Sequence, residues 1–376
     1  MPEVIDRLKS DIEVPLKNRF VGREEVIDLI TLAAVAGEHL FLLGPPGTAK
    51  SAIIRAFAQR INGRYFEYLL TRFSEPNELF GPIDLAKLRD GVVATVTTGM
   101  LPEAEFVFLD ELFNANSAIL NNLLTILNER LFRRGLELMR LPLISLFSAS
   151  NRLPEDEALS ALFDRFLLRC RVDSLPRAAM PALLAAGWQL ERGERDPSSG
   201  IDASDMVRLR EQCLQVNLTG IMEAYAEVVF HIRDLGVTLS DRRAVKLLKL
   251  IAASAVLCGR QHAIQADFWV LRYVWDREEQ IGPLSGLIQE CLRATSPDNI
   301  HPLASTPEKA NPDAISVELD QLAQALSSNA TLTELARLRE RLSQLAEQAS
   351  WVEVVATRQY LLERVNQLLN RLGETS

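Results

Sequence analysis

The feature that most constrains this chain is an eight-residue segment, Gly44 to Ser51, which lies between an apolar run and an amphipathic run. The apolar run, His39 to Leu43, has the composition of a buried strand, and the residues after Lys50 have helical periodicity. A glycine-rich turn between a strand and a helix directs backbone N–H groups and the positive end of the helix towards one point. The segment therefore predicts a phosphate-binding loop in an α/β fold. Its residues are Gly44, Pro45, Pro46, Gly47, Thr48, Ala49, Lys50 and Ser51.

Short apolar runs continue to alternate with amphipathic stretches as far as residue 172, which is typical of a parallel sheet flanked by helices. Five of these runs have strand length, so we predict an α/β domain with a five-stranded parallel sheet between helices. The long connection from Thr71 to Pro102 is expected to contain a further short strand at Val92 to Thr97. Leu131 to Pro142 is a candidate hairpin. The main strands are predicted at His39 to Leu43, Tyr65 to Leu70, Phe106 to Leu109, Leu143 to Ser150 and Leu167 to Val172.

After Pro176 the pattern is helical throughout, which predicts an all-α second domain. Four prolines between Ser296 and Pro312 predict a linker that cannot sustain a helix, and regularly spaced leucines beyond it predict a helical hairpin. The hairpin is either a packed appendage without activity or an element that docks partners or braces an oligomer. The predicted domains are residues 1–176, 177–295, 296–313 (linker) and 314–376. The helical segments are Met222 to Leu235, Ala244 to Leu257 and Phe268 to Trp275, and the hairpin residues include Leu332, Leu335, Leu338, Leu342 and Leu345, then Leu362, Val365, Leu368 and Leu372 after Trp351.

Charge and composition narrow the function classes. The 376 residues carry a net charge of −9, which weakens attraction to phosphate backbones, so nucleic acid is not the expected partner. The first ten residues lack a signal-peptide core and no apolar run is long enough to span a membrane, so we expect the cytoplasm. The four cysteines, Cys170, Cys213, Cys258 and Cys291, form no CxxC pair and are expected to be neutral structural thiols.

The predicted loop and a second motif together point to magnesium-dependent chemistry on a nucleotide, ATP. Lys50 is suited to hold the β- and γ-phosphates, and Ser51 is suited to ligate Mg²⁺. Asp110 and Glu111 end the apolar strand that begins at Phe106; Asp110 would hold the metal through its water shell, and Glu111 would polarise an attacking water. Ala49 stands where such loops usually have their last glycine, and we expect it to adopt right-handed helical dihedrals.

The two motifs together resemble those of the AAA+ ATPases, in particular the MoxR branch, and the resemblance extends over roughly Asn18 to Trp275. The similarity lies in the sequence of the loop from Gly44 to Ser51 and in the acidic pair, Asp110 and Glu111, at the end of the strand. The segment from Arg19 to Glu25 resembles the one that precedes the loop in this family. It implies that the backbone near Val21 and Gly22 contacts adenine.

The resemblance also implies roles for two residues that follow the acidic pair. Asn151, at the end of the fourth predicted strand, matches sensor 1, which orients the lytic water; the alternative is an Asn that caps a turn. Arg165 matches the arginine finger that reaches the γ-phosphate of a neighbouring subunit. The alternative for Arg165 is a surface ion pair with Asp164. Arg130 is a second candidate for crossing the subunit interface.

The segment Ser240 to Arg243 resembles the sensor 2 motif of the second, or lid, domain, and Ser240 is suited to the helix N-cap. Arg242 is the preferred contact to the γ-phosphate of its own chain, with Arg243 as the alternative. The two long connections, Thr71 to Pro102 and Leu131 to Pro142, match family inserts that line a pore; they are otherwise ordinary variable loops.

The family resemblance implies a homo-oligomeric ring, normally a hexamer, that couples ATP hydrolysis to remodelling a partner protein, as in regulatory variants with an added C-terminal helical region. It also implies a partner with a von Willebrand factor type A domain. A nucleic-acid motor of helicase type is an alternative supported by Arg133, Arg134 and Arg140. A metal-chelatase motor subunit and a small-molecule kinase are further candidate functions for a chain with these motifs.

Overall fold

A computed structural model describes most of the chain in two compact units, residues 1–304 and 305–376. In the first unit the described residues are 2–89, 93–134, 137–154, 156–192, 201–293 and 299–304. In the second unit they are 305, 315–316, 319–320, 322–323, 338–339, 341–343, 345–346, 349 and 355–374.

The first unit is built on a five-stranded sheet. Its strands are β1 (Leu40–Leu43), β2 (Tyr65–Leu69), β3 (Phe106–Asp110), β6 (Ser145–Ser150) and β7 (Leu168–Arg171). Their order in the sheet is β2-β3-β6-β1-β7, and every neighbouring pair is parallel. The central strands β1 and β6 are buried along their whole length, as expected where helices cover both faces of a parallel sheet. The predicted α/β fold and its five main strands are confirmed.

The register aligns the carboxyl ends of three adjacent strands. Leu43 of β1 pairs with Ser150 of β6, and Asp110 of β3 pairs with Ala149 of β6. Because all strands run in the same direction, the segments that follow β1, β3 and β6 emerge at one edge of the sheet. The phosphate-binding loop, the acidic pair and Asn151 therefore belong to the same edge.

Helices cover both faces of the sheet. They are α1 (Pro2–Arg7), a π-helical segment (Leu8–Glu13), α2 (Val14–Arg19), α3 (Glu24–Ala36), α4 (Lys50–Arg60), α5 (Pro76–Phe80), α6 (Leu85–Arg89), α7 (Ser117–Glu129) and α8 (Glu157–Phe163), with 3₁₀ turns at Leu101–Glu103 and Leu112–Asn114. The two longest end in left-handed caps: Gly37 closes α3 with φ 64°, and Arg130 closes α7 with φ 55°. Asn116 caps the start of α7 by accepting the N–H of Ile119.

The two long connections differ in how well their structure was predicted. The hairpin is confirmed, with β4 (Leu131–Arg134) antiparallel to β5 (Glu137–Arg140). The strand expected at Val92 to Thr97 is wrong for its described part, where Thr95 forms one isolated bridge with Ile83; Val92 lies outside the described residues. Pro82, next to Ile83, has no N–H to extend the pairing, which explains why the bridge stays isolated.

The all-α second region follows β7 and consists of α-helices joined by 3₁₀ turns. The helices are α9 (Met180–Glu191), α10 (Ala203–Cys213), α11 (Met222–Asp234), α12 (Asp241–Leu257), α13 (Ile281–Arg293) and α14 (Pro302–Ser305), and 3₁₀ turns occur at Arg177–Ala179, Thr219–Ile221 and Glu278–Gln280. Ser240 caps α12 as predicted, since its hydroxyl accepts the N–H of Arg243. The segment expected to be helical around Phe268 is a 3₁₀ helix, Gln265–Tyr273.

Residues on both sides of residue 176 contribute to one continuous apolar core. The core therefore does not mark the domain boundary expected there, and that boundary stays a prediction. Within the predicted linker, Pro302 begins a short helical turn, contrary to the expectation that no helix forms there. Proline is tolerated in the first turn of a helix because its missing N–H has no partner there. Residues 296–298 and 306–313 of the linker lie outside the described residues.

The second unit has its own apolar cluster. The described residues of the predicted leucine pattern are buried or, for Leu338 and Leu362, partly buried against the cluster. Ile315 and Leu319 join the cluster from a segment that the pattern had not assigned to either helix of the hairpin. Leu332, Leu335 and Trp351 lie outside the described residues. The last helix is α15 (Val355–Glu374), and the buried residues are Ile315, Leu319, Leu342, Leu345, Ala349, Leu361, Val365, Leu368 and Leu372.

The four cysteines are free thiols, and three of them are buried. Burial raises the pKa of each, to about 12 for Cys213, which confirms neutral thiols. Across the described residues, the helices are too short or too polar for any of them to span a bilayer.

A buried polar network holds the all-α region together. Asp267, which is 1% exposed, accepts two hydrogen bonds from the guanidinium of Arg260, at 2.8 and 2.6 Å, and one from the hydroxyl of Ser254 at 2.6 Å. Ser254 in turn accepts the indole N–H of Trp269 at 2.9 Å. Each polar group in this chain of contacts is satisfied, so the loss of one member leaves others buried without a partner.

We expect Asp267→Ala to lower the free energy of unfolding by about 3 to 5 kcal/mol, because it leaves the Arg260 charge without its carboxylate. Urea unfolding followed by tryptophan fluorescence measures the change, since Trp269 and Trp275 are fully buried in this region. Glu67→Gln, which removes a carboxylate from a surface pair with Arg55, is the control and should cost less than about 1 kcal/mol. Equal stability of the two variants would contradict the prediction.

Candidate nucleotide-binding site

The loop after β1 makes close backbone contacts that require glycine at its first position. Gly44 donates its N–H to the carbonyl of Ser150 at 3.0 Å, and a Cβ on Gly44 would lie 2.1 Å from the carbonyl oxygen of Val172. Gly47 has φ 78°, and a Cβ added there would have no atom within 4 Å. The loop is thus fixed at its base by both neighbouring strands and open to solvent at its tip, where Pro45, Pro46 and Gly47 are exposed.

Ala49 corrects one expectation. It has φ 66° and ψ 16°, in the left-handed region, whereas right-handed dihedrals were predicted. A residue with a Cβ is strained there by roughly 1 to 2 kcal/mol, which explains why such loops usually have glycine at this position. The helical conformation begins only at Lys50, so the turn of the loop extends one residue further than expected.

Lys50 directs its side chain back into the loop. Its ammonium donates to the carbonyls of Gly44 and Pro45, at 2.9 and 2.7 Å, and to the hydroxyl of Thr48 at 3.2 Å. Burial lowers the pKa of Lys50, while the negative charges of Asp110 and Glu111 raise it. The ammonium, the loop carbonyls and the acidic pair therefore occupy one neighbourhood.

The acidic pair lies at the end of β3, beside the loop. Asp110 accepts the N–H of Glu111 at 3.0 Å, and Glu111 has left-handed dihedrals with φ 53°. Partial burial and the charge of Asp110 raise the pKa of Glu111, whereas Lys50 and Arg152 lower it. A carboxylate with a raised pKa close to a cation is suited to accept a proton from water.

The residues of this edge fit a magnesium–nucleotide complex. The first N–H groups of α4 are not bonded within the helix and lie beside the exposed loop tip, as anion binding requires. Ser51, half-buried in the first turn of α4, and Asp110 supply oxygen ligands of the kind that Mg²⁺ prefers. Asn151 directly follows β6, between the strands that lead to the loop and to the acidic pair, and is exposed.

The turn expected to contact adenine is attached to the loop by a residue that the sequence analysis did not single out. Arg23 donates from Nε to the carbonyl of Thr48 at 3.2 Å. Val21 and Gly22 form the turn before it, and Gly22, with φ 68°, lies so close to Leu175 that a Cβ would approach to 2.5 Å. In the sequence, the position of Arg23 directly after this turn was the feature that could have identified it as a contact to the loop.

Arg152 is a second residue that motif comparison missed. It lies next to Asn151, its charge affects the pKa of Glu111, and it donates to the amide oxygen of Asn114 at 3.3 Å. A cleft of about 620 Å³ opens beside these residues, between the start of α7 and the loop after β6. Arg72 also lines the cleft.

Arg165 lies at the other edge of the sheet. It follows α8 and precedes β7, whose first residue, Leu168, pairs with Leu40 at the amino end of β1. Four residues of β1 extend about 13 Å, and they separate this edge from the phosphate-binding loop. The guanidinium of Arg165 lies 3.1 Å from the carboxylate of Asp164, so the ion pair predicted as the alternative role of Arg165 is present. It is not a fully exposed surface pair, because only a minor part of the Arg165 side chain is exposed.

Arg242, expected to contact the γ-phosphate of its own chain, lies away from the phosphate-binding loop. It is exposed and donates to Asn128, near the end of α7 and about 17 Å along the helix from its start beside the acidic pair. Lys249 of the same lid helix pairs with Glu38, which precedes β1, so α12 lies at the amino edge of the sheet. Arg243 is buried, which leaves Arg242 as the more accessible of the two.

Arg130 is used inside the chain. Its guanidinium donates to the carbonyls of Gly37 and Leu143, which precede β1 and β6. Burial lowers its pKa to about 10. The alternative that Arg130 crosses a subunit interface is therefore not supported by its contacts.

Comparison with known proteins identifies the family. Residues 6–211 match the family model described as the MoxR domain in the MoxR-vWA-beta-propeller ternary systems, and residues 216–288 match that of an AAA lid domain. The first match covers more than half of the chain. The chain belongs to the MoxR family of AAA+ ATPases.

Individual proteins resemble the chain over much of its length. An uncharacterised protein from Methanocaldococcus jannaschii is 39% identical over 73% of this chain and 73% of its own length. The chaperone MoxR1 from Mycobacterium tuberculosis is 23% identical over 67% of this chain and 70% of its own length. A crystal structure of a candidate ATPase from Cytophaga hutchinsonii has the same fold, with a TM-score of 0.62 and 17% identity over 78% of this chain and 96% of that chain.

We predict that Arg23→Ala weakens nucleotide binding by about tenfold, because a hydrogen bond from a charged group contributes roughly 1.5 to 3 kcal/mol to holding the loop. Titration with a fluorescent ADP analogue measures the dissociation constant. Arg64→Ala, which removes an exposed arginine paired with Glu105, is the matched control and should bind as wild type does. Unchanged affinity in Arg23→Ala would show that the loop does not depend on this contact.

Proposed function

We propose that this protein is a ring-forming ATPase whose active sites are completed by neighbouring copies of the chain, and that ATP hydrolysis remodels or activates a partner protein. The observation that carries the proposal is the separation of the site residues between two edges of one sheet. Lys50, Ser51, Asp110 and Glu111 lie at the carboxyl edge, whereas Arg165 lies at the amino edge.

A parallel sheet cannot bring these two edges together within one chain. Arg165 can therefore act on the γ-phosphate only when a second chain presents its own loop to it. Burial and the charges of both Arg242 and Arg165 lower the pKa of Lys246. This supports a basic surface to which Arg165, Arg242 and Lys246 all contribute. We assign Arg242 to this surface, facing the neighbouring site rather than its own.

The chain's own residues divide the chemistry between them. The loop N–H groups and Lys50 bind the phosphates, and Ser51 and Asp110 hold Mg²⁺. The bound Mg²⁺ neutralises charge on the phosphate oxygens. Glu111 accepts the proton of the attacking water, which Asn151 orients, and Arg165 of the neighbouring chain offsets the charge that develops on the γ-phosphate. A ring of six such chains is the assembly we expect.

The partner is proposed from the description of the matching family, which links the MoxR domain to vWA and β-propeller proteins. We propose that a protein with a von Willebrand factor type A domain receives the motion of the ring. The exposed β4–β5 hairpin, with Arg133, Leu138 and Arg140 at its surface, is the element we expect to contact it.

Glu111→Gln should bind ATP as wild type does and hydrolyse it more slowly by on the order of 10² to 10⁴, because an amide cannot accept the proton of the attacking water. Phosphate release under saturating ATP and nucleotide titration separate the two effects. Glu67→Gln at the surface is the control. Rapid turnover by Glu111→Gln would remove Glu111 from the proposed mechanism.

The ATPase rate per subunit should rise steeply with protein concentration, because each site needs a neighbouring chain. Arg165→Ala should lower the rate by on the order of 10³ while nucleotide affinity is retained. A mixture of Arg165→Ala with Lys50→Ala should regain activity, since Arg165 of the second variant can complete the loop of the first. A concentration-independent rate, or no recovery in the mixture, would contradict the shared site.

A further inference from the structure

The turn that carries Arg165 is held from two sides by buried charges. Arg169 of β7, which is 1% exposed, donates to the carbonyls of Phe163 and Phe166, at 3.1 and 3.2 Å, and thereby closes the turn over residues 163–166. Its guanidinium also lies 3.8 Å above the ring of Phe163. Asp164 and Arg165 are the two residues inside this closed turn.

The lid supplies the counter-charge for that arrangement. Asp276, which follows the 3₁₀ helix ending at Tyr273, accepts hydrogen bonds from Arg169 and, at 2.8 Å, from Arg243 of α12. Arg243 also donates to the carbonyls of Thr238 and Val274 and lies 3.9 Å from Asp164. The contacts therefore form a chain from Arg165 to Asp164, Arg243, Asp276 and Arg169, and back to the turn.

We propose that Asp164 is a positioning residue for Arg165, and that the lid carboxylate Asp276 keeps the turn in the place that Asp164 requires, through Arg169 and Arg243. The proposal rests on the proposed function, in which Arg165 serves the neighbouring subunit. It adds a role for four residues that do not touch the nucleotide.

The electrostatics of the cluster support a positioning role. Burial and the nearby charge of Arg243 lower the pKa of Arg169 to about 9, while Asp276 and Asp164 raise it. Burial raises the pKa of Asp276, but the two arginines outweigh it and lower the pKa overall. Two buried guanidinium groups thus share one carboxylate of the lid, and its loss would leave both charges without their nearest carboxylate.

Asp164 is the member of the cluster that meets Arg165. Its two carboxylate oxygens face different arginines: Oδ2 accepts from Arg165 at 3.1 Å, and Oδ1 faces Arg243 at 3.9 Å. The Nε of Arg165 is buried and has no hydrogen-bond partner among the described residues. The direction of the Arg165 side chain therefore depends on one carboxylate, whose own position depends on the lid.

The test is the steady-state ATPase of the full chain with Asp164→Asn, alone and mixed with Lys50→Ala. Asparagine keeps the shape of the side chain and removes its charge, so we expect kcat to fall by on the order of 10² through misplacement of Arg165, with the KM for MgATP unchanged. Lys50→Ala retains Asp164 and Arg165 and should restore activity to the mixture. Adding Asp164→Asn to Arg165→Ala should produce no further loss, because the two residues act as one unit.

Two further variants separate positioning from stability. Asp276→Asn should lower kcat, with activity restored in the mixture with Lys50→Ala, and it should also lower the unfolding temperature. If Asp276→Asn fails to fold, the double variant Asp164→Asn with Arg165→Ala decides alone whether Asp164 positions Arg165. Glu67→Gln, which removes a carboxylate paired with Arg55 on the edge strand β2, is the control and should leave kcat unchanged.

The outcomes distinguish this inference from the proposed function. If Arg165→Ala is impaired and recovers in the mixture while Asp164→Asn is fully active, the shared site stands and the positioning role is wrong. If Asp164→Asn is impaired but does not recover with Lys50→Ala, Asp164 acts only within its own chain, which also overturns the inference. If Arg165→Ala itself does not recover, the shared site fails and the positioning role fails with it.

Discussion

The parallel direction of the sheet is the constraint on which the candidate site depends. Because β1, β3 and β6 all point the same way, the loop at Gly44, the carboxylate of Asp110 and Asn151 are brought to one edge without any long-range side-chain contact. The same direction puts every residue that precedes a strand at the opposite edge. Arg165, which two residues separate from the start of β7, is excluded from its own loop by strand length alone.

The lid is attached to that opposite edge by charges that are mostly buried. Arg169 and Arg243 are each 1 to 2% exposed and both contact Asp276, so buried ionic contacts join sheet and lid in addition to the apolar core that the two share. Ionic contacts of this kind have fixed directions, whereas apolar side chains can slide past one another. The junction therefore specifies the orientation of the lid against the turn that carries Arg165.

Local sequence patterns predicted the parts of the structure that local chemistry decides. The five main strands, the hairpin and the Ser240 cap each follow from alternation, turn residues or a capping hydroxyl, and each is confirmed. Ala49 was predicted wrongly because the loop geometry overrides the preference of a residue with a Cβ. The place of Arg242 could not be predicted, because the position of the lid depends on contacts between distant residues, such as Lys249 with Glu38, that no local pattern contains.

Burial and partners, rather than residue type, decide which arginine at the amino edge is available to a second chain. Arg130 and Arg169 both donate to backbone carbonyls of their own chain, and their desolvation is offset by those fixed contacts. The side chain of Arg165 is 23% exposed, against 1% for Arg169, and it pairs with a carboxylate that is itself partly exposed. A guanidinium whose ion pair is still in contact with water can also meet a phosphate from a second chain, whereas the Arg169 guanidinium is enclosed by its own chain. Two arginines four residues apart in sequence are thus suited to different tasks, one to hold the turn and the other to present a charge from it.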